Sequence, residues 1–128
     1  THLYDWQGLA GYNAFMPGGV NRQHYYKSPG VMAMTELLDP PQYQKLVAGC
    51  LRIGMTERDV HYYAEHITVD IGHADGWLNN VIVPTGKRHP AAMEEVYFGA
   101  ALRLQTCNDY YDRLLETLRA LEIPNTVR

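Results

Sequence analysis

The chain has 128 residues, of which 46% are hydrophobic and 20% are charged, as in an ordinary globular protein. This length allows one domain at most, which we expect to span residues 1–128. The net charge of −3 provides no basic surface for nucleic acid. No apolar run reaches the roughly 18 residues of a membrane span, and the N-terminus does not resemble a signal peptide. We therefore predict a cytoplasmic protein with neither nucleic acid nor a membrane as its partner.

The first part of the chain predicts weak helices interrupted by glycine and proline. Residues 1–15 carry apolar side chains at spacings of three to four, which favours a helix despite two glycines. Residues 16–21, MPGGVN, predict a loop. Residues 21–28 are polar and aromatic, and predict at most a loose helical turn that ends at Pro29-Gly30.

Two further helices are predicted before the middle of the chain. Val31–Leu38 is expected to end at Asp39-Pro40, and Pro41–Ile53 begins with proline at a favourable position. Gly54 then suits a left-handed C-terminal turn. Glu36 has two interpretations. We favour a carboxylate on the helix surface, but a carboxylate that hydrogen-bonds a metal-ligating histidine also remains open.

Residues 56–84 predict one long helix. Thr56 can cap its start together with Asp59, in a variant of the capping box, and Pro84 is expected to end it. Apolar residues repeat at alternating spacings of four and three, and predict a face that packs into a helical bundle: Val60, Ala64, Ile67, Ile71, Ala74, Leu78 and Val81.

Beside this apolar face lie His66, Asp70 and His73. At about 100° per residue the three fall within roughly 60° of each other, so their side chains can reach one point. Two imidazoles and a carboxylate suit a transition metal, and with open coordination positions they suit ferrous iron. The spacing is not that of the H-E-x-x-H metalloproteases. Purely structural roles, such as a His–Asp hydrogen bond or a solvated polar edge, remain open.

The last part of the chain predicts a small basic loop and a long helix. Thr85–His89 could contact an anionic group of a substrate, although exposed cations more often serve solubility. Residues 90–121 show a sustained apolar pattern typical of a bundle helix. Cys50 and Cys107 lie on apolar helix faces and are expected to be free thiols. No long stretch alternates with period two, so the chain is predicted to be all-α.

The stretch Tyr62–His73, YYAEHITVDIGH, resembles the third core helix of the haem-oxygenase-like di-iron oxidases and oxygenases, which are known broadly as iron-containing redox enzymes. The last ligand helix of that family carries H-x3-D-x2-H, and His66, Asp70 and His73 match this pattern. The resemblance is close over Tyr62–His73 and loose over residues 32–121. It implies an all-α haem-oxygenase-like helical bundle, of which this chain supplies the C-terminal helices.

The resemblance also implies a chemistry. Such an enzyme binds two Fe(II) ions and uses O2 to oxidise a small organic substrate, which is amino-acid-derived or fatty-acid-like. The implied metal ligands are His66, Asp70 and His73, with Glu36 as a candidate partner of a ligand histidine. Four residues within a turn or two of the motif are candidates for the substrate pocket: Tyr62, Tyr63, Trp77 and Asn80.

The chain departs from the family in its length before the motif. Members complete the site with a glutamate from one earlier helix and a glutamate and a histidine from another, well upstream. Only 65 residues precede His66 here. We therefore expect a partial domain whose remaining Glu/Glu/His ligands come from an upstream half or a partner chain, and a homo-oligomer is also open. The alternatives are a cofactor-free haem-oxygenase-like protein that binds a small organic molecule, and a non-enzymatic helical subunit of a two-chain assembly.

Overall fold

The computed structural model describes residues 4–121, and within them it contains helices and no strand, which confirms the all-α prediction. The five α-helices are α1 (Trp6–Val20), α2 (Lys27–Arg52), α3 (Glu57–Gly76), α4 (Val83–Arg88) and α5 (Met93–Ala120). The connections are also helical: 3-10 turns at Arg22–His24 and Pro90–Ala92, and a π-helical segment at Trp77–Ile82. None of the described helices is long and apolar enough to cross a membrane.

Helix α2 is the centre of the fold, because it packs against α3 on one side and against α5 on the other, while α1 packs mainly on α5. Two glycines allow α2 and α5 to approach closely. A methyl group on Gly30 would overlap the Val96 carbonyl oxygen, and one on Gly99 would overlap the Lys27 carbonyl oxygen. Only residues without a Cβ fit at this crossing, so the two glycines fix the spacing of the central helices.

The helix breaks predicted at Pro29-Gly30 and at Asp39-Pro40 are both wrong. One continuous helix runs from Lys27 to Arg52 and includes both Pro40 and Pro41. Consecutive prolines remove backbone donors, but Asp39 and Pro40 are both buried, and packing between two neighbouring helices outweighs the local cost. Pro29 lies in the first helical turn, where a missing N–H costs little.

The loop predicted at residues 16–21 is also wrong, because α1 continues through this sequence to Val20. Gly18 lies directly against Ser28 at the start of α2. Contact with a neighbouring helix supports a backbone whose intrinsic helix propensity is weak. The first three residues of the predicted segment 1–15 lie outside the part of the chain that the structure describes.

The start of α3 confirms its predicted capping box. The Thr56 backbone N–H and hydroxyl both donate to Oδ2 of Asp59, at 2.8 and 2.7 Å. These bonds hold the Asp59 carboxylate in its charged form, and its pKa lies below the ordinary value. Gly54 has a φ of 93°, which confirms the predicted left-handed turn between α2 and α3.

The predicted end of this helix at Pro84 is wrong, because helical structure continues to Arg88. The π-helical segment Trp77–Ile82 shifts the hydrogen-bond register, and Pro84 then falls in the first turn of α4, where its missing N–H is tolerated. The predicted loop Thr85–His89 is consequently helical as far as Arg88.

The buried face of α3 is narrower than its apolar pattern predicts. Val60 and Asp70 are the residues of α3 that are fully buried, whereas Ile71 of α3 and Leu78 of the following π-helical segment are 63% and 51% exposed. Elsewhere, Cys50 is partly exposed and Cys107 is buried, and both are free thiols as the sequence predicts.

Candidate metal centre

Three side chains meet where α2 crosses α3. Glu36 comes from α2, and Asp70 and His73 come from one turn of α3; one ligand atom of each lies within 4.8 Å of the others. Nδ1 of His73 is 3.3 Å from Oε2 of Glu36 and 3.4 Å from Oδ1 of Asp70. An imidazole nitrogen and two carboxylates are thus directed at a common point.

Asp70 is the most unusual member of this cluster. Its side chain is 1% exposed, and among residues 4–121 neither carboxylate oxygen accepts a hydrogen bond. A buried carboxylate is costly unless a cation or several donors compensate it. The two carboxylate oxygens are therefore placed for a positively charged group to bind.

The pKa of Glu36 is also changed by its neighbours in the cluster. Burial raises the pKa of its carboxyl group, the nearby Asp70 raises it further, and His73 partly opposes both effects. Two carboxylates at this separation are stabilised by a shared proton or a shared cation. Because two carboxylates and an imidazole are a donor set that ferrous iron accepts, the residues present fit an iron ion.

His66 lies outside this cluster, one turn before Asp70 on α3. Its Nδ1 is 2.7 Å from the Tyr62 carbonyl oxygen. A carbonyl can only accept, so in the neutral imidazole Nδ1 carries the proton and Nε2 keeps its lone pair. This is the tautomer that a metal-ligating histidine needs, with its other nitrogen donating to a backbone carbonyl. Whether His66 binds a metal stays a prediction.

A groove of about 500 Å³ opens beside Glu36 and His73. Trp77 and Asn80, two of the four predicted pocket residues, line it, together with Gly72, Gly76, Met32 and Val81. Three of these lining residues, Trp77, Asn80 and Val81, belong to the π-helical segment Trp77–Ile82, and such segments are frequent at functional sites. A role of Trp77 and Asn80 in binding a substrate stays a prediction.

The other two predicted pocket residues, Tyr62 and Tyr63, do not line this groove. Their rings contact each other, Tyr63 also contacts Tyr43 of α2, and Tyr62 lies against His66. Of the four candidate pocket residues, Trp77 and Asn80 therefore line the groove, whereas Tyr62 and Tyr63 belong to a cluster of aromatic rings.

A second, apolar cavity of about 250 Å³ lies between α2, the α3 region and α5. Its lining includes Leu37 and Ala74, which directly follow Glu36 and His73 in sequence, and Met34, Leu78 and Met93. The cavity therefore begins within a helical turn of the Glu36, Asp70 and His73 cluster.

Two residues near the cluster were not predicted from the sequence. Asp39 is buried on α2, and Tyr43 follows one turn later. Because a helix break was predicted at Asp39-Pro40, Glu36 and Tyr43 were assigned to different helices. Their position on one face of a single helix was therefore not predicted. Asp39 and Tyr43 are spaced by four, and only a continuous helix brings such residues together.

Carboxylates and a histidine that meet between packed helices are typical of the all-α proteins that hold a metal between helices. Residues 1–108 match the family described as iron-containing redox enzyme, so the chain belongs to this family. The match confirms the resemblance to haem-oxygenase-like proteins. No curated protein and no solved structure matches the chain.

Proposed function

We propose that this protein is a non-haem iron oxidase or oxygenase that uses O2 to oxidise a small organic substrate, with Glu36, Asp70 and His73 holding one ferrous ion. The observation that carries the proposal is Asp70, a buried carboxylate that accepts no hydrogen bond from residues 4–121 and lies beside a second carboxylate and an imidazole. The family match supports the proposal, because the family is described as iron-containing redox enzyme.

Each side chain has a distinct part in this proposal. His73 supplies a neutral nitrogen, while Asp70 and Glu36 supply negative charge that offsets the charge of the metal. Bound ferrous iron would supply one-electron redox chemistry toward O2. The groove beside the cluster orients the substrate, with the Trp77 ring offering an apolar surface and the Asn80 amide offering a donor and an acceptor.

We further propose that a second ferrous ion uses His66 and ligands from an upstream segment or a partner chain. Exposed apolar side chains support this view, because Ile71 of α3 and Leu78 of the π-helical segment, seven positions apart, are 63% and 51% exposed. Large apolar side chains that share one exposed face are typical of an interface. A second copy of the same chain could also cover this face.

The partner proposal predicts that the chain purified alone unfolds at low temperature or self-associates. Light scattering and thermal unfolding of the isolated chain measure both properties. A monomer with one cooperative transition in the ordinary mesophile range of about 45–65 °C contradicts the need for a partner.

The proposed activity is tested by measuring oxygen uptake of the iron-loaded protein in the presence of the proposed upstream segment or partner chain. Candidate amino acids and fatty acids serve as substrates. We expect uptake that depends on ferrous iron and is lost in Glu36→Gln. Glu65→Gln is the matched control, because Glu65 lies on the exposed side of α3 and its side chain is 63% exposed. Equal uptake in all three proteins, or uptake without iron, contradicts the proposal.

A cofactor-free protein that binds a small apolar molecule is the second candidate, and the cavity of about 250 Å³ favours it. Iron content separates the two functions. A protein that binds an apolar ligand with the same affinity after Asp70→Asn, and that never retains iron, belongs to this second class.

A further inference from the structure

Helix α5 has a second apolar face in addition to the face that packs inside the chain. The inner face contacts α2 through Gly99 and through Cys107, whose thiol accepts a hydrogen bond from the Gln42 amide. The second face consists of exposed residues at alternating spacings of four and three, and we call it the outer seam: Tyr97, Ala101, Leu104, Asn108, Tyr111, Leu115 and Leu118. Its tyrosines and leucines are between 40% and 72% exposed.

The spacing of the outer seam is that of a helix that pairs with another helix. Alternation of four and three keeps the side chains on one face when two helices supercoil around each other. The inner face of α5 already packs on α2, so the outer seam is free to contact a further helix. Asn108 is the polar member of the seam, and an asparagine at such a position fixes the register of a helix pair.

The outer seam is complementary to itself when it is reversed. Its midpoint lies next to Asn108, so in an antiparallel pair the residues at equal distances on either side of this point face each other. Tyr97 then faces Leu118 of a second copy, and Leu104 faces Tyr111. The small Ala101 faces Leu115, which leaves room for the leucine. Asn108 faces its own copy, and the two amides can each donate and accept a hydrogen bond.

The residues beside the outer seam also suit an antiparallel pair. Phe98, Gln105, Asp112 and Arg119 are exposed, and each directly follows a tyrosine or leucine of the seam. In the reversed arrangement Gln105 lies beside Asp112 of the second copy, where its amide can donate to the carboxylate. Phe98 lies beside Arg119, and a guanidinium over an aromatic ring is attractive. This pairing opposes no two charges of the same sign.

We propose that two copies of this chain form a symmetric dimer through their outer seams, with the two α5 helices antiparallel. Such an interface is isologous, because the same surface of each copy takes part. The seam exposes on the order of 500 Å² of side chain, so two copies bury about 1,000 Å², near the lower limit of a specific interface. We therefore expect a reversible dimer. The proposal does not rest on the proposed function and needs no iron.

Sedimentation equilibrium of the full metal-free chain, from micromolar to millimolar concentration, provides the first test. We expect one equilibrium between monomer and dimer. Leu104→Glu and Leu115→Glu should each raise the dissociation constant of the dimer at least about tenfold, because the apolar contact is lost in both copies. Ile53→Glu is the matched control, because Ile53 lies at the end of α2, is 73% exposed, and should leave the dimer unchanged. Circular dichroism checks that each variant keeps its helices.

Cross-linking of single cysteine substitutions tests the direction of the two helices. Asn108→Cys should be linked to its own copy by a short bifunctional maleimide. Leu118→Cys should not be linked, because at 1.5 Å per residue the two copies of position 118 lie about 30 Å apart in the antiparallel pair. Peptide mass spectrometry separates these links from links through Cys50 or Cys107.

Each of five results overturns the proposal. The first is a chain that stays monomeric over the whole concentration range, and the second is a dimer that both α5 variants retain. The third is linking at position 118 as well as at position 108, which indicates parallel helices. The fourth is a dimer that Ile71→Glu abolishes and the α5 variants do not, which places the interface on α3. The fifth is dissociation of the dimer by the proposed upstream segment, which then is the partner of the outer seam.

Discussion

Replacement of Asp70 by asparagine removes a charge and keeps the shape of the side chain. In the metal-free protein this carboxylate is buried, accepts no hydrogen bond from any residue between 4 and 121, and lies beside Glu36. An unsatisfied buried polar group costs about 1–3 kcal/mol, and more when it is charged. We therefore expect Asp70→Asn to raise the free energy of unfolding without metal by about 1–2 kcal/mol, or roughly 3–8 °C in Tm.

The assay is thermal unfolding under anaerobic conditions, with a chelator and then with ferrous iron. Binding to the folded state at 100 times the Kd stabilises a protein by about 2.7 kcal/mol. Iron should therefore raise the Tm of the unmodified chain and have little effect on Asp70→Asn. The order of stability of the two proteins should reverse between the two conditions.

Asp75→Asn is the matched control, because Asp75 lies on the same helix, is exposed, and accepts a hydrogen bond from the Asn79 amide. Its effect on stability should stay within about 0.5 kcal/mol in both conditions. The reasoning is refuted if Asp70→Asn destabilises the metal-free chain, or if it retains the full response to iron.

Two further predictions concern the fold. Gly99→Ala should lower the free energy of unfolding by about 1–3 kcal/mol or more, because its methyl group would overlap the Lys27 carbonyl oxygen. Gly49→Ala is the control, because its methyl group meets open space and should raise the free energy of unfolding by up to about 1 kcal/mol. Equal effects of the two substitutions in urea unfolding contradict the close helix crossing. Both Cys50 and Cys107 should accept a thiol label after denaturation without reductant, and an unlabelled chain that is lighter by two hydrogens contradicts this.

The parts of the fold that were predictable are those with strong local signals. The capping box of Thr56 and Asp59, the turn at Gly54 and the last long helix each depend on residues close in sequence. The helix through Pro40 and Pro41 was not predictable, because its stability comes from helices packed on both sides of α2. Local propensity alone favours a break there.

The candidate site was predictable only where one helix supplies it. Asp70 and His73 share a face of α3 by their spacing alone. Glu36 joins them through the packing of α2 on α3, and its sequence context resembles that of many solvated helix carboxylates. Residue spacing also could not predict that Nδ1 of His66 hydrogen-bonds the Tyr62 carbonyl oxygen, one turn earlier on the same helix.

Iron bound per chain, measured by elemental analysis after anaerobic loading and removal of free metal, tests the central claim most directly. With the proposed upstream segment or partner chain present, the unmodified chain should retain iron, while Glu36→Ala, Asp70→Ala and His73→Ala should each lower the iron occupancy. Asp70→Ala should lose most of its iron together with its turnover, and Glu65→Ala should match the unmodified chain. If the three site variants retain as much iron as Glu65→Ala, then Glu36, Asp70 and His73 do not hold a metal.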